Sequence, residues 1–183
     1  MRLRTRFILA TMALVTVIVV LTGGLFLKIL QDTLVNQFGE DALDVAQAVA
    51  RNPQIRDAMD EPEPSRTIQP LAESIRQATG ATFVVVGNTD GIRYSHPDPT
   101  KIGLPMVGGD NDGALVEGRD YVSVADGSLG RSIRGKVPIL NDRDQVIGVV
   151  SVGFLLTQVD QAIAQYRETV LLVLLLGLLI GVP

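Results

Sequence analysis

At 183 residues and 46% hydrophobic, the chain can bury one substantial core, and its formal net charge of −4 argues against a general nucleic-acid binder. It has no cysteine, which excludes disulfides, thiol catalysis and cysteine-ligated metal without bearing on its compartment. The apolar residues are concentrated at the two ends.

The first element is Phe7 to Leu27, a run of 21 uncharged residues. At helical rise this is long enough to cross a hydrocarbon layer about 30 Å thick. Arg2, Arg4 and Arg6 precede it, so the positive-inside rule keeps residues 1–6 cytoplasmic as a basic tail and makes 7–27 a first transmembrane helix. A cleaved signal peptide shares the basic-then-apolar signature, but its apolar part is about 7 to 15 residues. Here the run continues beyond Gly23-Gly24 into a helical pattern, so an uncleaved anchor is expected. The spacing of Leu30, Leu34, Phe38, Ala42, Val45 and Val49 carries that helix to about Arg51, where Asn52-Pro53 ends or kinks it.

Residues 28–154 are expected to form an extracytoplasmic domain. From Lys28 to Thr169 there are 13 Lys and Arg against 20 Asp and Glu, a net charge of −7, so any anion must be held by a local cluster. After the acidic, proline-broken loop Asp60–Pro64, Ser65 is placed to cap a helix with Ile68, Leu71, Ala72 and Ile75 on its apolar face and Gly80 at its end. Strand periodicity then takes over. Thr82–Val86 and Ile92–Ser95 flank the turn Asn88–Gly91 and predict a hairpin. Pro97–Gly109 reads as a connection with a helical turn near Thr100–Ile102, and Asp110–Gly113 as a turn without calcium-loop spacing. Strands follow at Asp120–Val124, Ser132–Leu140 and Val146–Phe154. The expected fold class is α+β, with a five-stranded antiparallel sheet and a long N-terminal helix. Residues 155–169 form a connecting helix joined to the last strand almost without slack. Residues 170–183 begin a second transmembrane helix too short to cross, which implies a continuing chain.

In Ser128–Pro138, residues Ser128, Ser132, Arg134 and Lys136 share one strand face, combining two hydroxyls with two cations. That combination suits a carboxylate ligand, because charged donors and hydroxyls together finish its oxygens. Arg131 faces away, and Gly127–Gly130 reads as a backbone cradle. His96, the single histidine, is three residues after Arg93, so the two converge only if the strand ends or bulges before His96, as Pro97 favours. A histidine beside bound carboxylates would be pushed toward its charged form. A hydrolase built on Ser95 or Ser128 with His96 is the competing class. Against it, neighbours in sequence rarely take triad geometry, and Gly127-Ser128-Leu129-Gly130 is not the nucleophile elbow.

The ordered motifs Phe83–Gly87, Asp90–Pro97, Ile102-Gly103, Met106 with Gly108-Gly109-Asp110, Tyr121–Val124, Gly127–Gly130, Arg134–Ile139 and Ile147–Gly153 resemble the extracytoplasmic domain of the citrate-sensing histidine kinases. These belong with the C4-dicarboxylate sensors and have a PAS-like (single Cache) fold. The resemblance covers roughly Leu30 to Leu156. It implies that Arg93, His96, Arg134 and Lys136 bind ligand carboxylates, that Ser128, Leu129, Gly130 and Ser151 add hydroxyl and backbone contacts, and that Met106 lies at the pocket's edge. Ser-Leu-Gly followed by Arg-Gly-Lys is the citrate-like version, while Val85 departs from it where citrate sensors can offer a threonine hydroxyl. The resemblance further implies a homodimer in the inner (cytoplasmic) membrane, in contact with lipid and multi-pass. Ligand binding would contract the sheet and pull the second transmembrane helix, and a cytoplasmic response regulator would be reached through a kinase part absent from this sequence. No catalytic residue, cofactor or metal is expected here. A chemoreceptor carrying the same kind of domain is the alternative output.

Overall fold

The computed structural model describes residues 3–180, with side chains described for most of them. The chain divides into two compact units, residues 1–34 with 159–183, and residues 35–158. The first unit is helical. It contains the start of α1 (Leu3–Ala50) and most of α5 (Leu156–Ile180). Among the described residues α1 is long and apolar enough to cross a membrane, and Phe7 at 75% and Leu21 at 67% exposure leave its apolar surface bare. Residues 181–183, the end of the expected second span, lie outside the described residues.

The second unit is an antiparallel sheet of β1 (Phe83–Asn88), β2 (Tyr121–Gly127), β3 (Gly130–Leu140) and β4 (Val146–Leu155), in the order β1-β4-β3-β2. Short α2 (Pro53–Ala58) and longer α3 (Pro64–Thr79) precede it, and α4 (Asp112–Leu115) interrupts the loop between β1 and β2. Asn52 ends α1 and caps α2, accepting from the Gln54 N–H at 2.9 Å. The start of α3 differs from expectation: Glu63, not Ser65, occupies the cap position, because Pro64 brings a helix-ready φ to the first turn and needs no partner for a missing N–H. Gly80 ends α3 in the left-handed conformation, as its position predicted.

The sheet has four strands, not five. The expected fifth, Ile92–Ser95, makes only isolated bridges, Gly87 to Arg93 and Ile92 to Pro105. Its backbone turns to the following loop, with Arg93 N–H donating to Leu104 O at 3.1 Å and Gly103 N–H to Arg93 O at 2.8 Å. The Ser95 hydroxyl takes over the ladder position, accepting from Val86 N–H at 2.8 Å and donating to Val84 O at 3.2 Å. A side chain that pairs with the neighbouring backbone removes the need for a strand there.

One sheet face packs on the part of α1 after Val35. Phe38 meets Phe154 edge-to-face at 5.1 Å, and a Cβ on Gly135 would lie 2.4 Å from Leu43 Cα, so the helix rests directly on the β3 backbone. Ile133, Val137, Ile139, Val150 and Val152 form this buried side. Period-two alternation sends Ser132, Arg134 and Lys136 of β3, Ser151 of β4 and Phe83 and Val85 of β1 to the opposite face. Leu155 ends β4 and Leu156 begins α5 with no residue between. Thr82 ties this joint: its hydroxyl accepts from Leu155 N–H at 3.1 Å and donates to Gln158 Oε1 at 2.6 Å.

Candidate functional site

The face away from α1 carries a half-open cleft. Arg93, His96, Met106, Ser128, Leu129, Gly130, Arg134, Lys136 and Ser151 all line it, together with Phe83, Val85, Val107 and Gly127. β3 contributes Arg134 and Lys136 two residues apart. The strand register sets Lys136 opposite Ser151, and Ser151 opposite Val85. Ser128 and Leu129 form the tip of the tight β2–β3 hairpin, closed by the pair Gly127–Gly130.

Three permanent cations at such depth are unusual for surface charge. Arg93, Arg134 and Lys136 are 4%, 3% and 1% exposed, and burial pushes all three below their ordinary pKa, opposed at Lys136 and Arg134 by Asp110. Buried charge is costly unless partnered, so each partner matters. Arg134 Nη2 donates to Ala125 O at 2.7 Å and Ser132 Oγ at 2.8 Å, and its guanidinium lies 5.8 Å over the Phe83 ring. Its Nε is buried without a hydrogen-bond partner. Lys136 Nζ donates to Asn111 Oδ1 and lies 3.1 Å from Asp110 Oδ1. Ser132 thus serves Arg134 from the same face, whereas Arg131 is exposed.

His96 faces the cleft from the loop after the Ser95 crossover. The side-chain amide of Gln69 on α3 grips it from both sides, donating to His96 O at 3.0 Å and accepting from His96 N–H at 2.8 Å. Nδ1 lies against the Asp98 backbone, 2.9 Å from its N–H and 3.1 Å from its carbonyl, and Nε2 faces Ser128 Oγ at 2.8 Å; which ring nitrogen donates follows the tautomer. Burial depresses the His96 pKa, the Asp98 backbone contact opposes this, and the Arg93 charge adds to it. Burial therefore favours the neutral histidine, and an anion beside the ring would favour the charged form.

The pairing of His96 with Ser128 has the distance of a catalytic dyad but not its chemistry. A catalytic base is oriented by a third side chain on its far nitrogen, and here Nδ1 meets the Asp98 backbone instead. The Asp98 carboxylate serves Thr100, accepting from its N–H at 3.0 Å and its hydroxyl at 2.7 Å, and so does not orient the ring. Ser95 is fully buried with its hydroxyl committed to the backbone.

Sequence reasoning missed Phe83, Val107 and Asp110, whereas Gly127 lines the cleft as the start of the expected backbone cradle. Phe83 was legible as the strand neighbour two residues before Val85. Asp110 belongs to the expected turn Asp110–Gly113, yet it points inward, with Ser123 donating to its Oδ2 at 2.6 Å and Tyr121 OH donating to its backbone carbonyl. Burial alone would raise its pKa, but the Ser123 hydroxyl, Lys136 and Arg134 outweigh this and hold it below the ordinary carboxylate value. Among the described residues no group of three or more His, Asp or Glu is placed to hold a metal ion.

A four-stranded antiparallel sheet with a long helix on one face and a small-molecule cleft on the other defines a PAS-like sensor domain. The family description "Single cache domain 3" matches residues 29–168, most of the chain, and the chain belongs to that family. It is 55% identical over 151 residues to the sensor protein CitS of Halalkalibacterium halodurans, covering 80% of this chain and 28% of that protein. It is 34% identical over 165 residues to the sensor histidine kinase CitA of Klebsiella pneumoniae, covering 90% and 30%. The chain therefore spans less than a third of the length of these relatives. The crystal structure of the E. coli DcuS sensor domain matches with a TM-score of 0.65 and 36% identity, covering 73% of this chain and 97% of that one.

Proposed function

We propose that this chain is the sensor part of a membrane-bound two-component histidine kinase, and that its cleft captures citrate or a related di- or tricarboxylate outside the cytoplasm. The observation that carries this reading is the convergence of Arg93, Arg134 and Lys136, all nearly fully buried, on one cleft with His96 and Ser128. Cations buried in a domain that is acidic overall fit a polyanionic ligand better than they fit stability. The names of the relatives, sensor protein CitS and sensor histidine kinase CitA, support the same class.

In this reading Arg93, Arg134 and Lys136 bind the carboxylates. His96 and the Ser128–Gly130 hairpin complete them with ring, hydroxyl and backbone donors, Ser151 adds a hydroxyl, and Met106 borders the ligand. Residues 7–27 anchor the chain and residues 28–154 sense. The direct β4–α5 junction supports transmission into residues 155–169 and a second span beginning at 170. A homodimer, lipid contact and a cytoplasmic response regulator complete the scheme. A chemoreceptor output differs only in the cytoplasmic partner domain. The test is calorimetric titration of the chain in detergent with citrate, isocitrate, malate and succinate. Saturable binding of at least one is expected, and failure of all four refutes the reading. Hydrolysis of an ester substrate that disappears in His96→Ala would support the hydrolase instead.

A further inference from the structure

Asp110 is a carboxylate placed among the cations of a site proposed to bind carboxylates. It has 15% side-chain exposure, its Oδ1 is 3.1 Å from Lys136 Nζ and 3.6 Å from Arg134 Nη1, and its Oδ2 accepts from Ser123 Oγ at 2.6 Å. The rest of its segment is attached to the same two cations. Val107 O faces Arg134 Nη1 at 3.5 Å and Asn111 Oδ1 accepts from Lys136 Nζ. Tyr121 OH, donating to Asp110 O, fixes the backbone at the point where the side chain turns inward. Asp110 does not line the cleft, so it acts on a ligand through Lys136 and Arg134 and not by contact.

We propose that Asp110 is a built-in counter-ion that determines specificity: it holds the Lys136 ammonium in place and subtracts one charge from the three cations, limiting how strongly the site favours more highly charged anions. This rests on the carboxylate-receptor reading above. The physical reasoning is simple. A resident carboxylate lowers the cost of burying Lys136 and Arg134 before a ligand arrives. Its field also repels every incoming anion, in proportion to that anion's charge. Without it, the site would gain affinity for a trianion more than for a dianion. The Ser123 hydroxyl contributes by fixing the carboxylate through Oδ2 outside the cleft lining, where it orients the cations without taking the ligand's place.

The test uses Asp110→Asn in the full chain, titrated by calorimetry with citrate and succinate at about pH 8, where the ligand carboxylates are ionised. Thermal unfolding checks its folding, and Asp110→Ser replaces it if Asn is not tolerated. Both ligands are expected to bind more tightly than to wild type, with citrate gaining at least about threefold more than succinate. Weaker binding, or equal gains, overturns the proposal. A second arm needs no ligand: Lys136 labelling by acetic anhydride, read by mass spectrometry, should accelerate in the variant, and an unchanged rate overturns the positioning role. If wild type binds neither carboxylate, the receptor reading fails and charge selectivity fails with it, while labelling still decides whether Asp110 holds Lys136. If wild type binds but the variant gains nothing, only the Asp110 role fails.

Discussion

Replacing Arg134 by alanine separates a binding cation from a structural one. Its guanidinium is 3% exposed, its Nη2 is committed to Ala125 O and Ser132 Oγ, and its Nε is buried with no hydrogen-bond partner. An incoming carboxylate would meet the donors of the guanidinium fork that are not already committed, in charge-assisted hydrogen bonds of the kind that make arginine pairs strong. Truncating one partner of such a buried charged pair costs roughly 2–5 kcal/mol of binding. Lys136 and Arg93 would recover part of that by closing on the ligand, so the floor is about 1.4 kcal/mol, a tenfold loss of citrate affinity. Stability should respond differently. Losing two hydrogen bonds costs about 1–3 kcal/mol, but removing a buried charge returns its desolvation, so the unfolding free energy should change by less than about 2 kcal/mol. Titration calorimetry with thermal unfolding of the same preparation measures both, and Arg134→Lys, which keeps charge but loses the fork, should fall between. A folded Arg134→Ala that binds citrate within threefold of wild type would refute the assignment.

His96 has its pKa pushed below the ordinary 6.5 by burial, so the ligand-free fold should be fully stabilised above that value and lose stability as pH falls through it. His96→Asn should flatten this dependence in thermal melts between about pH 5 and 7, and an unchanged slope would assign it elsewhere. Gly135→Ala should push α1 off β3, since the new Cβ would be 2.4 Å from Leu43 Cα; a loss of about 1–3 kcal/mol or more is expected in denaturant melts, and a neutral result would contradict the close approach. Ser95→Ala strands Val86 N–H and Val84 O in a fully buried position and should cost about 1–3 kcal/mol of stability. Because Ser95 is not in the cleft, its ligand affinity should stay near wild type once the protein is folded.

The amino-acid sequence by itself determined the elements whose signals are local. The uncharged run from Phe7 to Leu27, the α1 periodicity, the Asn52 and Gly80 boundaries, and the four strands that formed each follow from hydropathy, period or turn chemistry over a few residues. Period two was enough to place Ser132, Arg134 and Lys136 on one face, and the family resemblance added Arg93 and His96. What only tertiary structure decided depends on groups far apart in the chain. Ile92–Ser95 has strand-like composition, yet the Leu104 carbonyl takes the Arg93 N–H and the Ser95 hydroxyl takes the Val86 N–H and Val84 carbonyl of β1, so the fifth strand does not form. His96 acquires its position from Gln69 on α3 and from the Asp98 backbone. Asp110 reads as a turn residue because nothing local marks it. It becomes part of the site only when the sheet brings Ser123, Arg134 and Lys136 around it, where the desolvated cations make a nearby carboxylate favourable.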